Sequence, residues 1–192
     1  MIAPDVFRDQ PILTGPRVRL EPLTLAVLED YLSALADPEV NRLTGSHAMF
    51  DRPQIETWLA TRHEHHDRAD WAAIRASDGL FLGEAVLNAF DPDNESASYR
   101  VWLAGAHVFD RGYGTEITRL VVDYALGTVG LHRVSLAVYD FNPRAQRVYE
   151  KCGFSHEGCL REALLWDGQW HDELLMAVTR YRPTPATKAP CG

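Results

Sequence analysis

A glycine-containing loop in the second half of the chain has the composition of an anion-binding site. Residues 109–116 follow an apolar stretch, pass Gly112 and Gly114, and enter an amphipathic helical pattern that includes Ile117. Glycines let backbone N–H groups approach a phosphate closely, the start of a helix adds partial positive charge, and Arg111 can add a charged hydrogen bond. The loop matches neither a dinucleotide fingerprint, which needs glycine where Ile117 stands, nor a Walker loop. By itself it is also typical of a tight turn before a helix.

A second motif follows at the end of an alternating strand pattern. It covers residues 142–154, NPRAQRVYEKCGF, and begins twenty-eight residues after Gly114. Together, the RGYGTE loop and this motif resemble the GCN5-related N-acetyltransferases (GNAT), in particular the RimJ/RimL-like branch, whose members acetylate protein α-amino groups or small amines. Residues 160–172 resemble the closing hairpin of that branch. The resemblance is strongest over residues 95–180 and extends less distinctly back to Arg17.

The resemblance implies acetyl-CoA as the acyl donor and assigns residues to its binding. The pantetheine arm of the donor pairs like an extra strand with the segment ahead of the loop, here residues 103–109, and an open sheet edge suits such pairing. Asn142 matches the side chain that contacts this arm, and Tyr149 matches the tyrosine beside the thioester sulfur. The implied cofactor-binding residues are Leu103, Phe109, Arg111, Gly112, Tyr113, Gly114, Thr115, Asn142 and Tyr149.

Two positions depart from the family pattern. Phe109 stands where the loop often begins with glutamine or arginine, a change that leaves the backbone contacts to phosphate intact. Ser98 stands where many relatives carry glutamate, and this change leaves the general base unassigned.

Acetyl transfer to an amine defines what the remaining residues must supply. The attacking amine must be neutral although its pKa is about 8 to 10, so a base or a water chain must accept a proton. The departing thiolate, with a pKa near ~8.5, is best protonated by a nearby acid. The hydroxyl of Tyr149 suits that role; the alternative interpretation of Tyr149 is a buried aromatic with a satisfied hydroxyl.

Several candidates for the base stay open. Glu84 shares a strand face with Asn88 and could flank a cleft, although a solvent-facing glutamate fits the same pattern. On the next strand either Tyr99 or Arg100 must face inward, and an inward Arg100 could instead pair with Glu84 in a structural role. His107, just ahead of the loop, is a further candidate, because histidine titrates in the useful range.

The spacing at which apolar residues recur along the chain predicts the helices and strands that position these side chains. Helical spacing and caps predict helices near residues 25–35, 53–59, 112–124 and 143–149. Alternation predicts strands over residues 17–21, 71–75, 79–87, 98–103, 133–139, 160–166 and 170–178, the last two joined at Asp167 and Gly168. The order of elements predicts an α+β domain. With the resemblance it implies the GNAT fold, a mixed, mostly antiparallel sheet of about six to seven strands flanked by about four helices.

Composition and charge exclude several functional classes. The 192 residues predict one domain over residues 1–182 and a Pro-rich tail over residues 183–192. The net charge of −8 disfavours nucleic acid and anionic lipid and favours a cationic acceptor. No signal-peptide pattern and no membrane-length apolar run is present, which favours a cytoplasmic protein. The histidine-rich residues 62–67 lack His-Glu-x-x-His spacing, so no metal is expected.

The identity of the amine stays open, between a protein N-terminus and a small molecule. Its pocket is expected near the first two helices, where Trp71 and residues 44–47 could border it. Homodimers are common in the resembled branch. A non-catalytic acyl-CoA-binding sensor or interaction module is the alternative function; Ser98 is its only support, whereas Asn142 and Tyr149 favour the enzyme.

Overall fold

The computed structural model describes residues 2–180, so the Pro-rich tail over residues 183–192 lies outside the described part. These residues form one eight-stranded sheet in the order β1-β2-β3-β4-β5-β6-β8-β7. The strands are β1 (Leu13–Thr14), β2 (Val18–Pro22), β3 (Ala69–Arg75), β4 (Phe81–Asp91), β5 (Ser96–Leu103), β6 (Arg133–Tyr139), β7 (Ser155–Trp166) and β8 (Gln169–Thr179). The helices are α1 (Leu28–Leu35), α2 (Pro38–Thr44), α3 (Arg52–Ala60), α4 (Tyr113–Asp123) and α5 (Pro143–Lys151). The predicted mixed, mostly antiparallel sheet is confirmed, and the short β1 is the strand that the sequence did not predict.

Side-chain caps begin the 3-10 turn ahead of α1 and the helix α2. The hydroxyl of Thr24 accepts a hydrogen bond from the N–H of Ala26 at the short 3-10 turn that precedes α1. Asp37 caps α2, and Pro38 is the first residue of that helix. The Asp37-Pro38 dipeptide therefore both ends α1 and begins a further helix, so residues 2–180 contain five α-helices rather than about four.

The N-terminus of α3 carries a reciprocal cap. The Asp51 carboxylate accepts from the N–H of Gln54 at 2.9 Å, and the Gln54 side chain accepts from the N–H of Asp51 at 2.9 Å. We expect Asp51→Ala to lower the free energy of unfolding by about 1 kcal/mol, and Asp51→Asn, which keeps an acceptor, to lower it by only a few tenths. Urea denaturation of both variants measures this, and equal losses would contradict a capping role.

The site depends on the single parallel pairing within the described sheet, between β5 and β6. It comprises three residue pairs, the last of which joins Ser98 to Ser135. Beyond this pair β5 stays bonded to β4 as far as Leu103, and β6 stays bonded to β8 as far as Tyr139. The two arms of the sheet therefore diverge and leave a V-shaped opening, which we call the cleft.

Side chains of β5 alternate between two helical layers. Tyr99 faces α4, where its hydroxyl lies 3.1 Å from the hydroxyl of Thr118. Trp102 points to the other face and packs edge-on against Tyr31 of α1, with ring centroids 5.0 Å apart. Thus α4 and α5 cover one face of the sheet and α1–α3 cover the other. No helix within residues 2–180 is long and apolar enough to span a bilayer.

Candidate functional site

The cleft contains a cavity of about 830 Å³ that brings most of the sequence-predicted site residues together. Those that line it are Leu103, Phe109, Gly112, Tyr113, Gly114, Thr115, Asn142 and Tyr149. The free edge of β5 at the cleft is residues 99–103, because residues 104–111 leave the sheet in turns. The prediction of an edge strand over residues 103–109 is therefore wrong beyond Leu103.

The glycine loop forms the N-terminus of α4. Gly112 is the N-cap, with a φ of +82° in the left-handed region that favours glycine. The first N–H groups of a helix have no acceptor within the helix, and they carry the partial positive charge of the helix dipole. The glycine loop therefore places the N-terminus of a helix at the cavity, as the sequence predicted, and its role in binding an anion stays a prediction.

A contact from β2 keeps this helix end free of competing negative charge. Glu116 lies in the first turn of α4, but its carboxylate accepts hydrogen bonds from the N–H groups of Arg17 at 2.7 Å and Val18 at 3.0 Å. The Arg17 guanidinium also donates to Glu116 and to the carbonyl oxygen of Arg111. Sequence reasoning did not find this contact, because about a hundred residues separate the two segments.

Arg144 on α5 places a cation over Phe109. Its guanidinium lies 4.5 Å from the Phe109 ring centroid and donates to the Asp110 carboxylate at 3.2 Å, and its side chain lines the cavity. The Arg111 side chain does not line this cavity. Arg144 is thus a candidate phosphate contact that the sequence analysis missed, since only the tertiary fold brings it to the loop.

Tyr149 on α5 is buried against Tyr99 and Phe154, and it also lines the cavity. Burial raises the pKa of the Tyr149 hydroxyl above that of an ordinary tyrosine. The phenol therefore stays protonated at any physiological pH. A protonated hydroxyl that lines the cavity can donate a hydrogen bond or a proton.

Asn142 serves as the N-cap of α5. Its side-chain oxygen accepts from the N–H of Ala145 at 3.1 Å, which leaves the amide N–H groups as donors toward the cavity that Asn142 lines. The same side chain can therefore fix the helix end and offer a hydrogen bond to a ligand in the cleft.

Glu84 lies on the other helical face, in a second cavity of about 630 Å³ bordered by α1–α3, β4 and β5. Its side chain is fully buried. Its Oε2 accepts from Trp102 Nε1 at 2.6 Å and from the Arg100 guanidinium at 3.3 Å. Its Oε1 makes no hydrogen bond within 3.5 Å among the described residues, and the Tyr31 hydroxyl is the further polar group that interacts with this carboxyl. Burial raises the pKa of the Glu84 carboxyl, an effect that Arg100 opposes.

The two cavities meet at shared walls. Arg100, Trp102, Val40 and Thr44 line both of them, so a group in the second cavity lies next to the cleft. We therefore call the second cavity the Glu84 cavity. Glu84 and Tyr149 therefore lie beside adjoining cavities, on opposite faces of the sheet.

The other predicted base candidates are less well placed. Tyr99 faces α4, and Arg100 pairs with Glu84 as the sequence analysis anticipated for an inward side chain. His107 is exposed and lines neither cavity. Thr44 and Ser46 line the Glu84 cavity, but Trp71 does not: it is fully buried and donates from Nε1 to the carbonyl oxygen of Pro11. The prediction that Trp71 borders the acceptor pocket is wrong.

The histidine-rich segment holds no cluster of metal ligands. Arg62 is buried, with its guanidinium 4.4 Å from the ring centroid of Trp58, while His63 is exposed. Across residues 2–180 no group of three or more His, Cys, Asp or Glu side chains could hold a metal ion.

The chain is similar to known proteins both in sequence and in fold. Residues 17–155 match the family model described as an acetyltransferase (GNAT) domain. YjcK of Bacillus subtilis (strain 168) is 41% identical over 118 residues, which are 61% of this chain and 65% of YjcK, so this match spans less than two thirds of that relative. The [ribosomal protein uS5]-alanine N-acetyltransferase of Escherichia coli (strain K12) is 27% identical over 190 residues, covering 88% of this chain and 95% of that enzyme.

The fold also occurs in solved structures. A crystal structure of spermidine N-acetyltransferase from Vibrio cholerae, in complex with CoA and spermine, superposes with a TM-score of 0.79 at 19% identity. The superposition covers 88% of this chain and 99% of that one. At this identity the likeness concerns the fold.

Proposed function

The chain belongs to the acetyltransferase (GNAT) family, and we propose that it is an N-acetyltransferase that moves an acetyl group from acetyl-CoA to a primary amine. The observation that carries the proposal is the divergence of β5 and β6 beyond Ser98 and Ser135, with the N-terminus of α4 on one side and Tyr149 inside. This arrangement offers a strand edge, an anion site and a proton donor around one cavity.

The cleft offers complementary groups to each part of the donor. N–H groups of residues 112–115 would hold the pyrophosphate at the helix end, with Arg144 beside them. The free edge of β5 at residues 99–103 would pair with the amides of the pantetheine arm, and Asn142 would donate to the same arm. Arg147 and Lys151 also line the cavity and add positive charge there.

Two buried side chains, Glu84 and Tyr149, would carry the proton transfers of the reaction. Glu84 would accept a proton from the amine through water, and its raised pKa makes the ionised carboxylate a stronger base. The neutral nitrogen would attack the thioester carbonyl carbon, and the carbon–sulfur bond would break as the tetrahedral adduct collapses. Tyr149 would give its proton to the departing sulfur, and the proton that the nitrogen loses as the amide forms would pass through water to the Tyr149 oxygen, which yields CoA and the amide and restores the phenol.

The acceptor is a cationic amine in this proposal. The net charge of −8 favours cationic molecules in general. Glu84 supplies a carboxylate in the Glu84 cavity, where the amine would bind. The similarity to a uS5-alanine acetyltransferase supports the RimJ/RimL-like branch, whereas spermidine N(1)-acetyltransferases are similar to this chain in sequence as well as in fold. The cytoplasmic location and a homodimer stay predictions. The alternative function, an acyl-CoA-binding module, rests only on the absence of a glutamate at Ser98, and Glu84 would supply the missing carboxylate.

A calorimetric titration with acetyl-CoA, with CoA as the comparison, tests the donor site. We expect one site per chain with a Kd in the micromolar range, about −8 kcal/mol in free energy. Acetylation of a panel of amines, followed by CoA release, then tests turnover. No binding at millimolar acetyl-CoA would mean that the glycine loop is only a turn, and the proposed function would fail. Binding without turnover of any amine would favour the module.

A further inference from the structure

The two arms of the cleft carry carboxylates at matching heights. On the first arm Glu84 lies opposite Trp102, which is four residues beyond Ser98. On the second arm Glu173 of β8 lies opposite Tyr139, which is four residues beyond Ser135. Because β5 and β6 are parallel and Ser98 pairs with Ser135, both carboxylates lie about 13 Å above the closed end.

Both carboxylates also project from the same face of the sheet. Residues opposite each other in a sheet share a face, and so do residues two apart along a strand. On the first arm, Glu84 shares a face with Trp102 opposite it, and therefore with Ser98 further along β5. Ser98 pairs with Ser135, which shares its face with Tyr139 along β6 and hence with Glu173 opposite Tyr139. That face is the one covered by α1–α3, from which we expect the acceptor to enter.

Glu173 lines the cleft cavity without forming an ion pair among the described residues. It lines the cleft cavity, yet its carboxylate has no hydrogen bond or ion pair with any other residue in the described range 2–180. By contrast Glu157, which lines the same cavity, is paired with Arg133. Burial raises the pKa of Glu173, which indicates a site where a bound cation would supply missing stabilisation.

Aromatic rings beside Glu173 complete a surface suited to a positively charged nitrogen. Tyr139 faces it across the strand pair, and Phe141 stacks on Tyr139 with ring centroids 5.4 Å apart. The guanidinium of Arg42 already lies over the Phe141 ring, 4.9 Å from the ring centroid. Ring faces attract cations, so the tyrosine and the carboxylate favour the same kind of ligand.

We propose that Glu173 is a specificity-determining residue that binds a second positive charge on the acceptor, so that the preferred substrate is a diamine or a longer polycation. The inference rests on the proposed function. The reacting nitrogen would lie in the gap between the arms, one to two strand spacings from Glu173, or roughly 5–10 Å. An aliphatic chain of about four carbons between two nitrogens spans such a distance.

Comparing 1,4-diaminobutane with butylamine tests the proposal, because the two differ only in the second ammonium group. We expect wild-type enzyme to prefer the diamine in kcat/KM. Glu173→Gln should reduce kcat/KM for the diamine about tenfold, mainly by raising KM, and change that for butylamine less than twofold. Glu173→Asp should restore part of the preference. Glu162→Gln, which removes an exposed carboxylate from the same hairpin, should leave the preference unchanged.

Equal losses for both amines with Glu173→Gln, or no loss for either, would overturn the assignment. If no amine is acetylated although acetyl-CoA binds, the proposed function fails separately. Titration of 1,4-diaminobutane into the CoA-loaded protein then decides the role of Glu173. Weaker diamine binding to Glu173→Gln than to wild type would support the second-cation site, and identical binding would contradict it.

Discussion

Replacing Tyr149 by phenylalanine should lower kcat about 100-fold while leaving the Kd for acetyl-CoA within about twofold. The phenol is buried in the cleft, and its pKa is raised by that burial, so it holds its proton until the thiolate departs. Phenylalanine keeps the ring that packs on Tyr99 and Phe154 and removes only the donor. Steady-state kinetics and calorimetry on the same preparations measure both quantities.

Tyr124→Phe is the matched control for this experiment. Tyr124 is also a buried tyrosine, but it packs against Trp71, with ring centroids 5.6 Å apart, and lines neither cavity. Its kcat should match wild type. A Tyr149→Phe enzyme with wild-type kcat would eliminate Tyr149 as the general acid, and the thiolate would then have to leave unprotonated or take its proton from water.

Glu84→Gln should lower kcat/KM by about 10²- to 10³-fold and at the same time raise the thermal stability of the protein. Glutamine keeps an oxygen that accepts from Trp102 but cannot take up a proton from the amine. In the wild type, kcat/KM should fall as the pH drops through the raised pKa of Glu84. The variant should lack that acid limb.

The stability change has a definite sign with pH. The pKa of Glu84 is higher in the folded protein than in the unfolded chain, because burial disfavours the carboxylate. Its contribution to stability is therefore present below the unfolded value and is lost as pH rises through the folded value. The advantage of Glu84→Gln in Tm should appear as pH rises above the usual glutamate range and then level off.

A variant on the surface separates this effect from a general loss of negative charge. Glu21→Gln removes a half-buried carboxylate of β2 that pairs with Arg19 and lines neither cavity. We expect its kcat/KM to equal that of the wild type and its Tm to show no comparable gain at neutral pH. If Glu84→Gln is fully active, the base is another group or water. If it is less stable than wild type at neutral pH, the Glu84–Arg100 pair outweighs the burial of charge.

The local elements of the fold follow from the sequence because their signals are short-range. The alternation over residues 133–139 predicts β6 with the bounds that the structure has. Asp167 and Gly168 predict the β7–β8 turn, and both adopt positive φ, at +48° and +77°. The glycine loop and the α5 motif indicate the donor site for the same reason, since each is one contiguous stretch in which residue type and backbone conformation determine each other.

The acceptor side of the site was decided by the tertiary structure. The sequence leaves Glu84 as one of several candidates for the base, and only the pairing of β4 with β5 places Trp102 and Arg100 on one of its oxygens. Arg144 reaches Phe109, and Glu173 reaches the cleft, only because distant strands and helices pack together. Strand register and the divergence of β5 from β6 depend on contacts between residues far apart in the chain. No local pattern of residue types encodes such contacts, so the sequence by itself determined the donor-binding motifs, and the fold determined what faces them.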